Sequence, residues 1–222
     1  IINEVDDVRI SNPPVNAELL EALSAKFTDY NYDFKQLVRD ICTSRTYQLS
    51  TATNESNKND DRNFSHATLR RIRSEILLDA ITQVTDTKNK FAGLPAGARA
   101  VQIANGNTST YFLTTFGRAT RGSVCSCEVK VEPNLSQALH LLNGETIAGK
   151  IGEGKLIERS LAAGKKPEEI IEDLYIRCLT RLPTDAEKQQ LGEAIAASTD
   201  LKVTLEDTFW ALMNAREFVF NH

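Results

Sequence analysis

Several residue classes that mark specialised proteins are scarce in this sequence of 222 residues. No apolar run approaches the ~18 residues that a membrane-spanning helix needs, so we expect no transmembrane segment. Four cysteines are too few for a disulfide scaffold in a chain of this length. The 26 basic and 30 acidic side chains give a net charge of −4, without the basic excess that nucleic-acid binding requires. We therefore expect a globular chain whose partners do not include nucleic acid.

Aromatic residues, histidines and catalytic motifs are also few. Only 7% of residues are aromatic, and most fall on predicted core stripes, whereas carbohydrate-binding modules expose aromatic platforms. The sequence has three histidines, no Gly-x-Ser-x-Gly motif, no serine with a nearby histidine and acid, and no phosphate-binding glycine motif. No complete catalytic constellation is therefore present, and a carbohydrate-binding module ranks last among the functions considered.

Helical periodicity dominates what is present. At least seven segments carry apolar residues at helical spacing, and 41% of residues are hydrophobic, which is enough to form a core. The period is lost in a central insertion at about 91–133, where the runs 99–103 and 111–116 fit either short strands or extended chain. We predict a mainly α fold, with a single multi-helix domain over residues 1–222 and an irregular central insertion.

The longest regular pattern predicts a helix that begins at Ser65. Its apolar positions recur three or four residues apart at Leu69, Ile72, Ile76, Ala80 and Val84. Three arginines lie near its predicted start, at Arg70, Arg71 and Arg73. A phosphate site is one interpretation of these arginines, but we favour a solvated or ion-paired face.

Caps and spacing predict further helices toward the C-terminus. Pro167 suits a first helical position, and Thr184 with Glu187 forms a capping box. Leu135, Leu139 and Leu142 form one apolar stripe of a predicted helix that ends near Asn143. Cys42 and Cys178 each fall on an apolar stripe, which predicts that both are small buried residues.

The segment 116–128 is chemically the most unusual part of the chain, and three interpretations stay open. Cys125 and Cys127 could bind zinc with His140 as a third ligand, although structural zinc sites usually separate paired cysteines by two or more residues. They could instead form a reducible redox pair, since Arg118 and Arg121 would favour thiolates. We favour the third interpretation, in which the loop packs against helices and the arginines bind backbone carbonyls or acids.

The remaining polar candidates favour structural roles. We expect His140 to be a satisfied structural histidine rather than a ligand or base. Adjacent Asp6 and Asp7 could hold a cation, but a salt-bridge or capping role is favoured because neighbouring side chains point apart. We also assign structural roles to Arg45 and Asn143.

Ordered blocks along nearly the whole chain resemble the planctomycete-type PSD domain, a domain of unknown function (1553). The resemblance rests on the blocks 5–14, 18–20, 44–50, 77–81, 116–118 with Arg121 and 125–128, 137–145, 174–177, 179–181, 210–214 and 218–222. Such domains lie toward the C-terminus of large proteins that often carry a cytochrome-c-like segment. The resemblance implies an exported parent in the periplasm or at the cell surface, with haem c in a separate domain and no cofactor in this chain.

The chain begins at Ile1 and lacks the Asn-Arg-x-Trp segment that usually precedes the Asp-Asp block in this family. We therefore expect a fragment of a longer multidomain protein. The favoured function is a non-catalytic helical interaction or structural module that contacts companion domains or another protein.

The alternative function is part of a redox or carbohydrate-directed enzyme site built on residues 118–128. Arg118 and Arg121 would bind an anionic group, and Cys125 and Cys127 would carry electrons or a metal. Glu128 would act as acid or base if burial raised its pKa, and His140 and Asn143 would come from the following helix.

Overall fold

The structure is a computed structural model that describes residues 1–2, 7–60, 62–122, 129 and 132–221. The described residues are mainly helical, which confirms the predicted fold class. The chain forms two compact units, here called unit 1 (Ile1–Arg70) and unit 2 (Arg71–Asn221). The single domain over residues 1–222 stays a prediction.

Unit 1 contains two helices joined by a tight turn. They are α1 (Ala17–Asp29) and α2 (Phe34–Thr43). The side chain of Asn16 caps α1 by accepting from the Leu19 N–H, and Asp33 caps α2 in the same way. Asp40 on α2 accepts a hydrogen bond of 2.5 Å from the Tyr30 hydroxyl, which ties the two helices together.

Unit 2 contains most of the helices of the described chain. They are α3 (Ser74–Val84), α4 (Tyr111–Thr115), α5 (Leu135–Asn143), α6 (Glu145–Gly154), α7 (Leu156–Ala162), α8 (Pro167–Leu179), α9 (Asp185–Ala196), α10 (Leu201–Asn214) and α11 (Arg216–Val219). A 3-10 turn spans Ala100–Gln102, and the two-residue strands β1 (Arg70–Arg71) and β2 (Phe220–Asn221) form a two-stranded sheet.

Helix α10 is central to the core of unit 2, packing against α6, α7, α8, α9 and α11. Its buried side chains recur at helical spacing: Leu205, Thr208, Phe209, Leu212 and Met213. Met213 is the chain's single methionine, and the single tryptophan, Trp210, lies half-buried on the same helix. Every buried side chain of the described residues belongs to unit 2, so unit 1 has no buried core of its own.

The predicted helix from Ser65 is wrong in its first part, because α3 begins only at Ser74. The residues before it are extended, and the Ile72 N–H donates to the Val219 carbonyl at 3.0 Å. Tertiary hydrogen bonding therefore overrides the local helical pattern at Ile72, a competition that a single sequence does not reveal.

The central insertion also differs from its predicted detail. The runs 99–103 and 111–116, which fitted strands or extended chain, contain the 3-10 turn and α4 instead. Thr110 caps α4 by accepting from the Leu113 N–H, and Phe112 and Leu113 are buried. Neither run contains a strand.

Two helices toward the C-terminus begin at their predicted caps. Pro167 begins α8, and Thr184 and Glu187 form the capping box of α9. The apolar stripe of α5 is exposed, with relative accessibilities of 74%, 49% and 51% at Leu135, Leu139 and Leu142. No helix of the described chain is long and apolar enough to cross a membrane.

Candidate functional site

His140 lies at the end of α5 in an aromatic environment. Its Nε2 is 2.9 Å from the Thr146 hydroxyl, and its ring centroid is 5.3, 5.5 and 5.8 Å from those of Tyr111, Phe112 and Phe116. Burial lowers the pKa of His140 below its ordinary value. These contacts fit the predicted structural histidine.

Gly144 allows the close turn between α5 and α6 that brings His140 and Thr146 together. A Cβ on Gly144 would lie 2.1 Å from the His140 carbonyl oxygen, which no side chain can tolerate. The pairing of these two side chains therefore depends on glycine at this position.

Arg118 is buried and binds the preceding loop. Its guanidinium donates to the carbonyl oxygens of four residues at 2.8–3.3 Å, namely Ile103, Asn105, Gly106 and Thr108. Its Nε lies 3.5 Å from a carboxylate oxygen of Glu75 on α3. An arginine that binds four carbonyls holds a loop in place, and it matches the favoured interpretation of this segment.

Arg121 reinforces the same loop from its surface. Its guanidinium donates to the Ala104 carbonyl at 2.8 Å, and the side chain is exposed. Gly106 lies so close to the Thr120 carbonyl that an added Cβ would be 1.7 Å from the oxygen. The two arginines and Gly106 together hold the segments 103–108 and 118–121 against each other.

Asp79 is a buried charged residue that organises this region, and the sequence reasoning missed it. Asp79 accepts from the N–H groups of Ala100 and Val101 at 2.6 and 3.3 Å, and it lies 3.4 Å from Arg99. It therefore caps the 3-10 turn from a neighbouring helix. Its position on a buried face of α3 was the available signal.

Arg71 departs from the solvated or ion-paired face predicted for the arginine run, whereas Arg70 and Arg73 are exposed as expected. The side chain is buried, donates to the Phe116 carbonyl at 2.8 Å and lies 5.3 Å from the centre of the Phe116 ring. Because Phe116 also contacts His140, the structure places Arg71, Phe116 and His140 in one connected cluster.

The other predicted residues are separate from this cluster or lie outside the described residues. Asp7 pairs with Arg9 at 2.8 Å, as a salt-bridge role requires. Arg45 is exposed in the turn after α2, and Asn143 is exposed at the end of α5, so their structural roles stay predictions. Asp6, Cys125, Cys127 and Glu128 lie outside the described residues.

The two described cysteines have opposite environments. Cys178 is buried, and burial raises the pKa of its thiol to about 12. Cys42 is exposed, so its predicted burial is wrong: α2 has no buried residue. Among the described residues, no group of three or more histidines, cysteines or acids could hold a metal ion. The zinc and haem c expectations stay predictions.

A cleft of about 440 Å³ lies beside the His140–Thr146 pair. Helix α6 contributes one wall, and the segments around Asn89 and Tyr111 contribute others. The lining residues are Leu78, Asn89, Lys90, Phe91, Thr110, Tyr111, Phe112, Glu145, Thr146, Gly149, Lys150 and Glu153.

Sequence comparison supplies a family match for most of this chain. The model of the family described as PSD1, protein of unknown function (DUF1553), matches residues 1–195. The match crosses the boundary between unit 1 and unit 2. No curated protein and no solved structure matches the chain significantly.

Proposed function

Because the chain belongs to the PSD1 family of proteins of unknown function (DUF1553), we propose that it is a non-catalytic helical interaction module of a larger, exported protein. The observation that carries the proposal is a pair of apolar helix stripes that face solvent. Each stripe has the apolar spacing of a helix face that is buried against another element, yet its side chains are exposed to solvent.

The first stripe lies on α2 in unit 1. Phe34, Val38 and Ile41 are spaced four and three residues apart, so they share one face of the helix. Their relative accessibilities are 68%, 40% and 36%. Burying such side chains in an interface would stabilise a complex by about 1.5–3 kcal/mol per fully buried residue, before the cost of association.

The second stripe lies on α5 in unit 2, at Leu135, Leu139 and Leu142. The opposite side of α5 packs inward through Gln137, whose amide donates to the Thr115 carbonyl at 3.2 Å. The helix is therefore anchored by a polar side chain while its leucines face solvent. This arrangement suits a helix whose apolar face contacts a partner.

The charged side chains of the described insertion support a non-catalytic role. Arg118 and Arg121 are the anion-binding groups that the enzyme alternative requires, and both bind main-chain carbonyls. The alternative stays a prediction for Cys125, Cys127 and Glu128.

Export of the parent protein and a cytochrome-c-like companion segment are further parts of the proposal. They are supported by the ordered residue blocks that resemble the planctomycete-type PSD domain. Fractionation of cells that express the full-length parent, followed by haem staining, tests both. The expected result is a haem-positive band in the extracytoplasmic fraction, and a haem-free cytoplasmic protein would contradict it.

Cys42 provides a direct test of the α2 stripe in the full-length parent. It lies next to Ile41 and one turn beyond Val38, so a companion domain on the stripe would shield its thiol. We expect slow alkylation of Cys42 in the native parent, measured by peptide mass spectrometry. Val38→Glu should accelerate alkylation at least about tenfold by weakening the docking of an apolar face.

The matched control is Arg39→Glu, on a different side of the same helix, which should leave the alkylation rate unchanged. Buried Cys178 provides an internal reference that stays unmodified in every variant. Alkylation of native Cys42 at the rate of the urea-unfolded protein would overturn the proposal for this stripe.

A further inference from the structure

The cleft beside α6 has a volume of about 440 Å³, within the usual range of small-molecule sites. Its α6 wall presents Glu145, Thr146, Gly149, Lys150 and Glu153, which follow two adjacent rows of the helix surface. Apart from the neighbouring residues and the backbone of the same helix, no atom lies within 4 Å of the position that a Cβ on Gly149 would take. The helix surface is therefore open to a ligand at this point.

The formal charges of the cleft cancel. Glu145 and Glu153 supply two carboxylates, and Lys90 and Lys150 supply two ammonium groups. Lys150 also donates to the Thr87 hydroxyl at 3.1 Å, and its partial burial lowers its pKa. The two carboxylates would repel an anionic ligand, and the two ammonium groups would repel a cationic ligand. This lining therefore favours an uncharged ligand.

The polar and aromatic groups narrow the class of ligand further. Asn89 is about nine-tenths buried, and its side-chain nitrogen has no hydrogen-bond partner in the described structure. Tyr111 is 75% exposed at the same cleft.

We infer that this cleft binds a neutral saccharide. The exposed ring of Tyr111 offers an apolar face for the C–H groups of a sugar ring. Carboxylate, ammonium, hydroxyl and amide groups offer both acceptors and donors for sugar hydroxyls. The assignment is independent of the apolar stripes on α2 and α5.

A glycan microarray of neutral and acidic oligosaccharides, probed with the whole chain, tests the inference. The strongest neutral compound would then be titrated calorimetrically against two glycine variants. Gly149→Leu places a side chain in the cleft and should weaken binding at least about tenfold. Gly152→Leu lies on the same helix, outside the cleft lining and also with open space at its Cβ, and should change affinity less than twofold.

Both substitutions replace an exposed helical glycine by a better helix former, so neither is expected to lower the melting temperature. Tyr111→Ala should lose binding, whereas Tyr111→Phe keeps the ring and should retain it. Absence of binding to every neutral saccharide would overturn the inference. An equal loss of affinity in the two glycine variants would also overturn the inference. The same holds if the cleft binds a free amino acid and no sugar.

Discussion

A guanidinium group can satisfy several carbonyl oxygens at once because its N–H donors are fixed in one plane. Arg118 uses this property to bind the carbonyls of the 103–108 loop from within the core. At the scale of single residues, the described insertion is thus organised by buried charges: Arg118, Asp79 and Arg71.

Replacing Arg118 should therefore destabilise unit 2. Arg118→Lys keeps the charge but cannot reach four carbonyls, and we expect a loss of about 2–4 kcal/mol in the free energy of unfolding. Urea denaturation followed by circular dichroism measures the loss. The control is Arg121→Lys at an exposed position with one described carbonyl contact, which should cost no more than about 0.5 kcal/mol. Equal losses in both variants would contradict the role assigned to Arg118.

His140 should make stability depend on pH. Because its folded-state pKa is lowered, the unfolded chain binds more protons as the pH falls below the ordinary histidine value. The stability that neutral His140 contributes should be fully present above about pH 6.5 and lost as the pH falls toward the lowered folded-state pKa. Unfolding of the wild type and of His140→Gln, measured from pH 7.5 to 5, tests this.

The variant should show a shallower loss of stability over that range, since glutamine does not titrate. A wild type and variant with parallel pH profiles would show that His140 does not titrate differently in the folded and unfolded chain.

At the scale of elements, one arginine joins three helices. Arg181 follows α8 and binds Glu187 of α9 at 2.8 Å and Glu217 of α11 at 2.9 Å. The hydrogen bonds from Arg181 lower the pKa of Glu187 to about 2. This cluster connects the C-terminal helices at their ends, where the Arg181 guanidinium lies 5.4 Å from the centre of the Tyr175 ring.

The contribution of this cluster should disappear in acid. A carboxylate with a lowered folded-state pKa stabilises the fold above its unfolded value of about 4.3, and this contribution is lost as the pH falls toward the folded value. Near neutral pH, the free energy of unfolding of the wild type should exceed that of Arg181→Ala by about 1 kcal/mol. The difference is small because the ion pairs of Arg181 are partly exposed. The difference should shrink between pH 5 and pH 2, and a constant difference would contradict the assignment.

The elements predicted best are those whose signals are local. The caps at Pro167 and Thr184 are readable from neighbouring residues, and the structure contains both. The start of α3 was missed because it depends on contacts between distant segments. Helical spacing identifies the apolar side of α5 but not what covers it.

In the candidate site, the arginine contacts were predicted from the sequence and the cleft at α6 was not. Arginine in a glycine-containing loop indicated binding to backbone carbonyls, and Arg118 and Arg121 do bind them. The cleft at α6 combines residues from four segments between Leu78 and Glu153, and no sequence spacing indicates that they meet.

At the scale of the whole molecule, buried side chains are divided very unequally between the units. Unit 1 has no buried residue among those described, whereas unit 2 contains the complete described core. We expect the amides of α1 and α2 to exchange with deuterium at least about 100-fold faster than those of α8 and α10. Mass spectrometry of the native chain measures this, and equal protection in both units would contradict the expectation.

The location of Trp210 on α10 has a practical consequence for any spectroscopic work on this protein. As the chain's one tryptophan, it places the dominant intrinsic emission signal in unit 2. A melting curve recorded by that emission would follow the core around α10 and would give little sign of α1 and α2 unravelling at a lower temperature.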